Sequence, residues 1–142
     1  MVKKKTHKLT FTPDFNFTLF GISSHLNDYK LIWSVNSELA VNFSKQDNLK
    51  IEDDKLNEVF EFVTYSYYDE ARNLKYRIIA NRTVNGYLLP EIKNIDYILH
   101  LSGDAGETFQ NDLFKNLKAI KSIQAVFKLN VNDLKSKKRL VF

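Results

Sequence analysis

A chain of 142 residues, 44% of them hydrophobic, with seven tyrosines, eleven phenylalanines and one tryptophan, is sized and composed for one packed domain rather than a disordered segment. It has no cysteine, which excludes disulfides, thiolate nucleophiles and cysteine metal sites and fits a reducing, cytoplasmic setting. The net charge of +4 divides unevenly: residues 1–8 and 135–142 each carry four Lys or Arg and no acid, which leaves 13 basic and 17 acidic residues in 9–134.

The expected organisation is therefore a single domain over 9–134 with basic, solvated tails at 1–8 and 135–142. Such tails make at most weak, non-specific contact with nucleic-acid phosphates. A mildly acidic body lacks the basic stripe of a dedicated nucleic-acid binder. No apolar run approaches the roughly 18 residues of a membrane span. The stretch Met1–Thr6 is basic without the apolar core of a secretory signal, so no membrane association is expected.

In chain order, Phe11, Phe15, Phe17 and Leu19 share the parity of a strand with a buried face. Asp28 to Ala40 reads as a helix capped by Asn27 or Asp28, with Tyr29, Ile32, Trp33, Asn36 and Leu39 at helical spacing. A short strand is expected around Ala40–Phe43, then a polar loop through Glu52-Asp53-Asp54. Val59–Tyr67 alternates and so does Leu74–Ala80; joined by Asp69–Asn73, they predict an antiparallel hairpin. The last third reads as strand, helix, strand. Ile95, Tyr97, Leu99 and Leu101 share one strand face, Phe109, Leu113, Leu117 and Ile120 one helix face, and Ile123, Ala125, Phe127 and Leu129 a second strand face. A crossover of that length suits parallel strands in a βαβ unit. The fold class is α+β: a mainly antiparallel sheet with two helices on one face, ending in a βαβ unit of ferredoxin-like flavour.

Catalytic signatures are missing. There is no HExxH, P-loop, GxGxxG or GxSxG, and His7, His25 and His100 have no partner at ligand spacing. No catalytic residue, metal site or cofactor is therefore expected. Tyr65, Tyr67, Tyr68 and Tyr76 with Arg77 would make a base-stacking surface if they were exposed on the hairpin; aromatics are equally at home packed within a sheet. The run Leu89-Pro90-Glu91-Ile92-Lys93-Asn94-Ile95-Asp96-Tyr97 sets two carboxylates and a tyrosine where a polar loop becomes an apolar strand. It is either a rigid start to that strand, with both acids satisfying backbone donors, or a binding surface.

That run resembles the motif of the IPExxVDY family, small proteins found mainly in Bacteroidetes. Leu89-Pro90-Glu91 stands for Ile-Pro-Glu and Ile95-Asp96-Tyr97 for Val-Asp-Tyr, both aliphatic changes being conservative, and the spacer between them is the three residues Ile92-Lys93-Asn94. Phe20–Leu26, Asp28–Leu31, Asn81-Arg82, Asn85–Leu88 and Leu134–Lys137 are also similar to the family's general form, so the resemblance spans nearly the whole chain. It carries with it no activity, cofactor or partner.

Three functions are consistent with these features. The first is a non-enzymatic cytoplasmic binding or adaptor domain with a protein partner or a second copy of itself, using His25, Arg82, Glu91, Asp96 and Tyr97. The second is an RNA-associated protein using the basic ends and the tyrosine hairpin. The third is an enzyme of unrecognised type, which requires His25, Glu91, Asp96 and Tyr97 to meet in one pocket.

Overall fold

The computed structural model describes residues 16–142. In order these form β1 (Phe17–Ser23), α1 (Asp28–Leu39), β2 (Ser44–Lys45), β3 (Leu49–Asp53), β4 (Glu58–Phe62), β5 (Thr64–Asp69), β6 (Leu74–Ala80), β7 (Arg82–Thr83), β8 (Gly86–Tyr87), β9 (Tyr97–Ser102), α2 (Glu107–Lys118) and β10 (Ala125–Leu129). Single 3-10 turns occupy Pro90–Ile92, Val131–Asp133 and Lys137–Leu140. His7, Phe11 and Phe15, with the N-terminal tail expected at 1–8, lie outside the described residues.

Six strands make one antiparallel sheet in the order β10-β1-β9-β6-β5-β2, while β3–β4 and β7–β8 form separate two-stranded ribbons. This is the α+β architecture expected from the sequence. Because β1 is antiparallel to both β9 and β10, those two strands are parallel to each other, with β1 between them and α2 in the crossover. The same relation links β1 to β6 across β9, with α1 in the connection. Each is a split β-α-β unit, so the ferredoxin-like flavour of the last third extends to the first half.

Alternation along the strands builds two cores, one on each face. Under α1 and α2 lie Phe20, Ile22, Tyr76, Ile78, Leu99 and Leu101. On the opposite face Leu19, Ile79 and Ile98 pack beneath Phe60 and Phe62 of β4 and beneath Leu88, Leu89, Leu134 and Leu140. Each fully buried Leu, Ile or Phe contributes about 2 kcal/mol of hydrophobic stabilisation. Gly21 lets Ile95 lie close against β1: a Cβ at Gly21 would sit 3.0 Å from the tip of Ile95.

Several boundaries and faces differ from the sequence expectation. α1 buries Leu31, Ile32 and Val35 and leaves Tyr29 and Trp33 60% and 71% exposed. Asn27 takes the N-cap position without a side-chain cap bond. The Asp28 carboxylate instead accepts a hydrogen bond from the Tyr65 hydroxyl at 2.8 Å. Residues 41–43 are not a strand; both polar atoms of the Asn36 amide bond the backbone of Phe43 and turn the chain there. The acidic loop is half strand, since Leu49–Asp53 pairs with Glu58–Phe62. Val59–Tyr67 divides at Val63 into β4 and β5, which belong to different sheets. The hairpin of β5 and β6 forms as expected, with Thr64 opposite Ile79 and Asp69 opposite Leu74. Ile95 precedes β9 and packs on the face opposite Tyr97, Leu99 and Leu101. On β10 the buried side chain is Val126, and Phe127 is exposed.

The expected solvated tail at 135–142 is instead docked. Leu140 is fully buried, Arg139 donates to the carbonyls of Tyr87 and Leu88, and the Leu140 carbonyl accepts from the His100 ring at 2.9 Å.

Candidate functional site

The run 89–97 is assembled around Asn81, which no expectation singled out as a key side chain. This fully buried amide donates to the carbonyls of Ile92 and Ile95 and accepts from the Leu89 N–H at 2.8 Å. Leu89, before the proline, takes φ −119° and ψ 87°, outside the helical region. Pro90 then opens the 3-10 turn, where its missing N–H costs nothing.

Both carboxylates of the run are spent on backbone donors. Glu91 accepts from the Ser136 N–H at 2.8 Å and from its hydroxyl at 3.1 Å. Burial pushes the Glu91 pKa up, but hydrogen bonds, foremost from the Ser136 N–H and with further help from the backbone of Glu91 and Lys135, outweigh it and hold the carboxyl below its ordinary value. Asp96 accepts from the Ser24 N–H at 2.9 Å, and the Tyr97 hydroxyl donates to the Leu26 carbonyl at 2.7 Å. Burial, with the nearby charges of Asp28 and Asp96, pushes the Tyr97 phenol up to about 12. The run is thus a clamp, with Glu91 holding the C-terminal segment and Asp96-Tyr97 holding the β1–α1 loop.

Four of the five sequence-predicted site residues meet. His25, Arg82, Asp96 and Tyr97 line a polar cleft of about 360 Å³ at the start of α1; Glu91 is not among its walls. The cleft is poorly equipped for chemistry. Asp96 and Tyr97 are engaged as above, Arg82 stands 3.9 Å from Asp96 at an exposed position, and His25 is exposed. Because Glu91 lies outside the cleft, the expected meeting of His25, Glu91, Asp96 and Tyr97 in one pocket does not form.

Nor does the hairpin present a stacking platform. Tyr65 bonds Asp28, and Tyr67 and Tyr76 pack on each other and on Phe43. Tyr68 alone of the four is exposed.

A different site lies between the helices. α1 and α2 stand apart over β6 and β9, leaving a groove of about 470 Å³. Its floor is apolar, made by Val35 and Leu39 of α1, Leu113 and Leu117 of α2, and Ile78 and Leu99 of the sheet. The Tyr67 and Tyr76 rings also line it, and neither hydroxyl hydrogen-bonds another described residue. Burial, then the charge of Asp69, pushes the Tyr76 phenol up to about 12. The charged positions are Glu38, Asp69 and Asp112 against one cation, Arg72. Arg72 is already bound to Asp69 at 2.9 Å and lies over the Phe109 ring. Glu38 and Asp112 are without an ion pair among the described residues.

In the sequence, Phe109, Leu113 and Leu117 read as a core stripe, which they also are; only tertiary spacing of the two helices turns part of that stripe into a groove wall.

Among the described residues no group of three or more His, Asp or Glu converges as a metal site, and no helix is long and apolar enough to cross a membrane. Comparison of the chain with known families finds no matching family model, and comparison with curated proteins finds no match.

Proposed function

We propose that the protein is a non-catalytic binding domain whose groove between α1 and α2 takes a segment of a partner protein, an apolar side chain with a basic residue beside it. The carrying observation is the groove itself: a half-enclosed apolar floor of ligand-binding volume, bordered by two carboxylates without ion-pair partners. An apolar anchor recovers the transfer free energy of leaving water, and a Lys or Arg next to it meets Glu38 and Asp112. A cytoplasmic setting accords with the chain's lack of cysteine. Membership of the IPExxVDY family belongs to the same reading, on the residues Leu89-Pro90-Glu91 and Ile95-Asp96-Tyr97. In that reading the motif serves the fold, and the recognition surface lies on the other side of the sheet.

The test uses capped dipeptides Leu-Arg and Leu-Glu titrated into isotopically labelled protein and followed by NMR. Leu-Arg is expected to shift amides of 35–41 and 109–119 saturably, and Leu-Glu is not. Asn116→Trp, an exposed position on the groove wall, fills the groove and abolishes the effect. Equal response to both peptides, or an undiminished response in Asn116→Trp, sinks the assignment.

A further inference from the structure

The second face of the main sheet is divided. Around β1 and β9 it is apolar and covered. Around β5 and β6 the same face is polar: it carries Thr64 and Ser66 on β5 and Lys75 and Arg77 on β6. The register sets Ser66 opposite Arg77, and Arg77 opposite His100 of β9. The β3–β4 ribbon stands beside these residues without covering them, leaving a basin of about 850 Å³ with Phe142 at its margin.

Arg77 is the unusual member. It is half-buried at the centre of a sheet, yet it has no ion pair and no hydrogen bond to any described residue. Its guanidinium lies over the Phe142 ring, 4.5 Å from the centroid. The neighbouring His100 brings no negative charge to it: its Nε2–H donates to the Leu140 carbonyl, and Nδ1 lies 3.3 Å from the Ser102 hydroxyl. Burial first and the Arg77 charge second push the His100 pKa down to about 4. The acids of the basin are Asp47, on the loop before β3, and Glu61, which faces Lys50 across the ribbon. Ser66 is a buried residue, and its hydroxyl, at the lining of the basin, bonds no described residue. A partly desolvated guanidinium with its donors unused is costly to hold. Its planar fork matches two oxygens of a phosphate or carboxylate.

We propose that this basin is an oxoanion site, in which Arg77 binds two oxygens of a small anionic ligand, Lys75 and the Ser66 hydroxyl bind the remaining oxygen edge, and Phe142 backs the guanidinium. The site is on the sheet face opposite the helical groove and is independent of it. The shared chemistry is a phosphate or carboxylate group; the two sources are separated by the choice of anion.

The experiment titrates inorganic phosphate, acetate and chloride into the full chain at constant ionic strength, read by amide shifts at 64–66, 75–77 and 100. Saturable shifts with phosphate or acetate and none with chloride are expected; the tighter of the two identifies the source. Arg77→Gln is expected to weaken binding by at least about tenfold, as loss of a bidentate charge-assisted pair does. If that variant does not fold, Lys75→Gln decides, with about a threefold loss expected for one charged contact near the surface. Equal response to chloride, no saturation, or unaltered affinity in the folded variants overturns the proposal.

Discussion

His100 and Asn81 are two polar side chains that the sequence left without a role, and both are nearly or fully buried. Asn81 sits in the polar Asn-Arg-Thr-Val-Asn-Gly stretch, where attention falls on the charged Arg82 beside it. Nothing in one sequence distinguishes an asparagine that brackets a loop from one that faces water; the difference is that the chain from 89 to 95 folds back onto it. His100 has the strand parity expected of it, opposite Tyr97 and Leu99, but its burial depends on Phe17 and Phe142 closing over the ring, contacts made far along the chain. Its protonation is a stability term. The folded pKa of about 4 lies below the ordinary 6.5, so between those values the unfolded chain carries a proton that the folded chain lacks. Stability from this group is complete above pH 6.5 and declines by about 3 kcal/mol as the pH falls to 4. Asp69 and Glu91 also have lowered values, and their contributions are lost only at more acid pH, as each falls through its folded pKa. Urea midpoints measured from pH 7 to 5 therefore isolate the histidine. The wild-type midpoint is expected to drop across that range and that of His100→Gln to stay nearly level; parallel curves contradict the assignment.

At the scale of elements, helix α2 was legible and the phase of α1 was not. In α2 the apolar residues fall only on one stripe, and Leu113 and Leu117 are buried as the spacing predicts. In α1, Tyr29, Leu31, Ile32, Trp33 and Val35 leave almost no polar gap, so two stripes compete, and the large aromatics point to the wrong one. The structure buries the aliphatic stripe, which fits between sheet and helix. Val59–Tyr67 kept its parity while passing from one sheet to another at Val63, so alternation alone did not mark the break. The C-terminal segment was obscured by its cations, although Leu134 and Leu140 are the residues that hold it down. The helix phase has a direct optical consequence. Trp33 is the only tryptophan in the chain, so its fluorescence is expected to be red-shifted and readily quenched by iodide. Trp33→Ala should change stability by no more than about 0.5 kcal/mol, whereas Leu31→Ala should cost about 3 kcal/mol. A blue-shifted, protected tryptophan would mean that the aromatic stripe is the buried one.

Across the whole molecule, the α+β class and the crossover of the last third could be read from periodicity because both follow from local patterns. The candidate site could not, because a groove between α1 and α2, or a bare half of a sheet face, exists only once distant elements are packed. The run 89–97 stands between these cases: its residues were conspicuous, and their purpose became visible only with partners 45 and 72 positions away, at Ser136 and Ser24. Together with Asn81 these bonds connect the first strand, the middle of the chain and the C-terminal segment, so the conspicuous acids serve the fold, and the proposed binding surfaces lie elsewhere. Native-state hydrogen exchange on wild type, Glu91→Ala and Asp96→Ala tests this most directly. The account predicts that the Ser136 amide exchanges roughly tenfold faster in Glu91→Ala and the Ser24 amide roughly tenfold faster in Asp96→Ala, as loss of a hydrogen bond to a carboxylate implies, while the centre of the β5–β6 hairpin is unchanged. Unaltered exchange at Ser24 and Ser136 would contradict it.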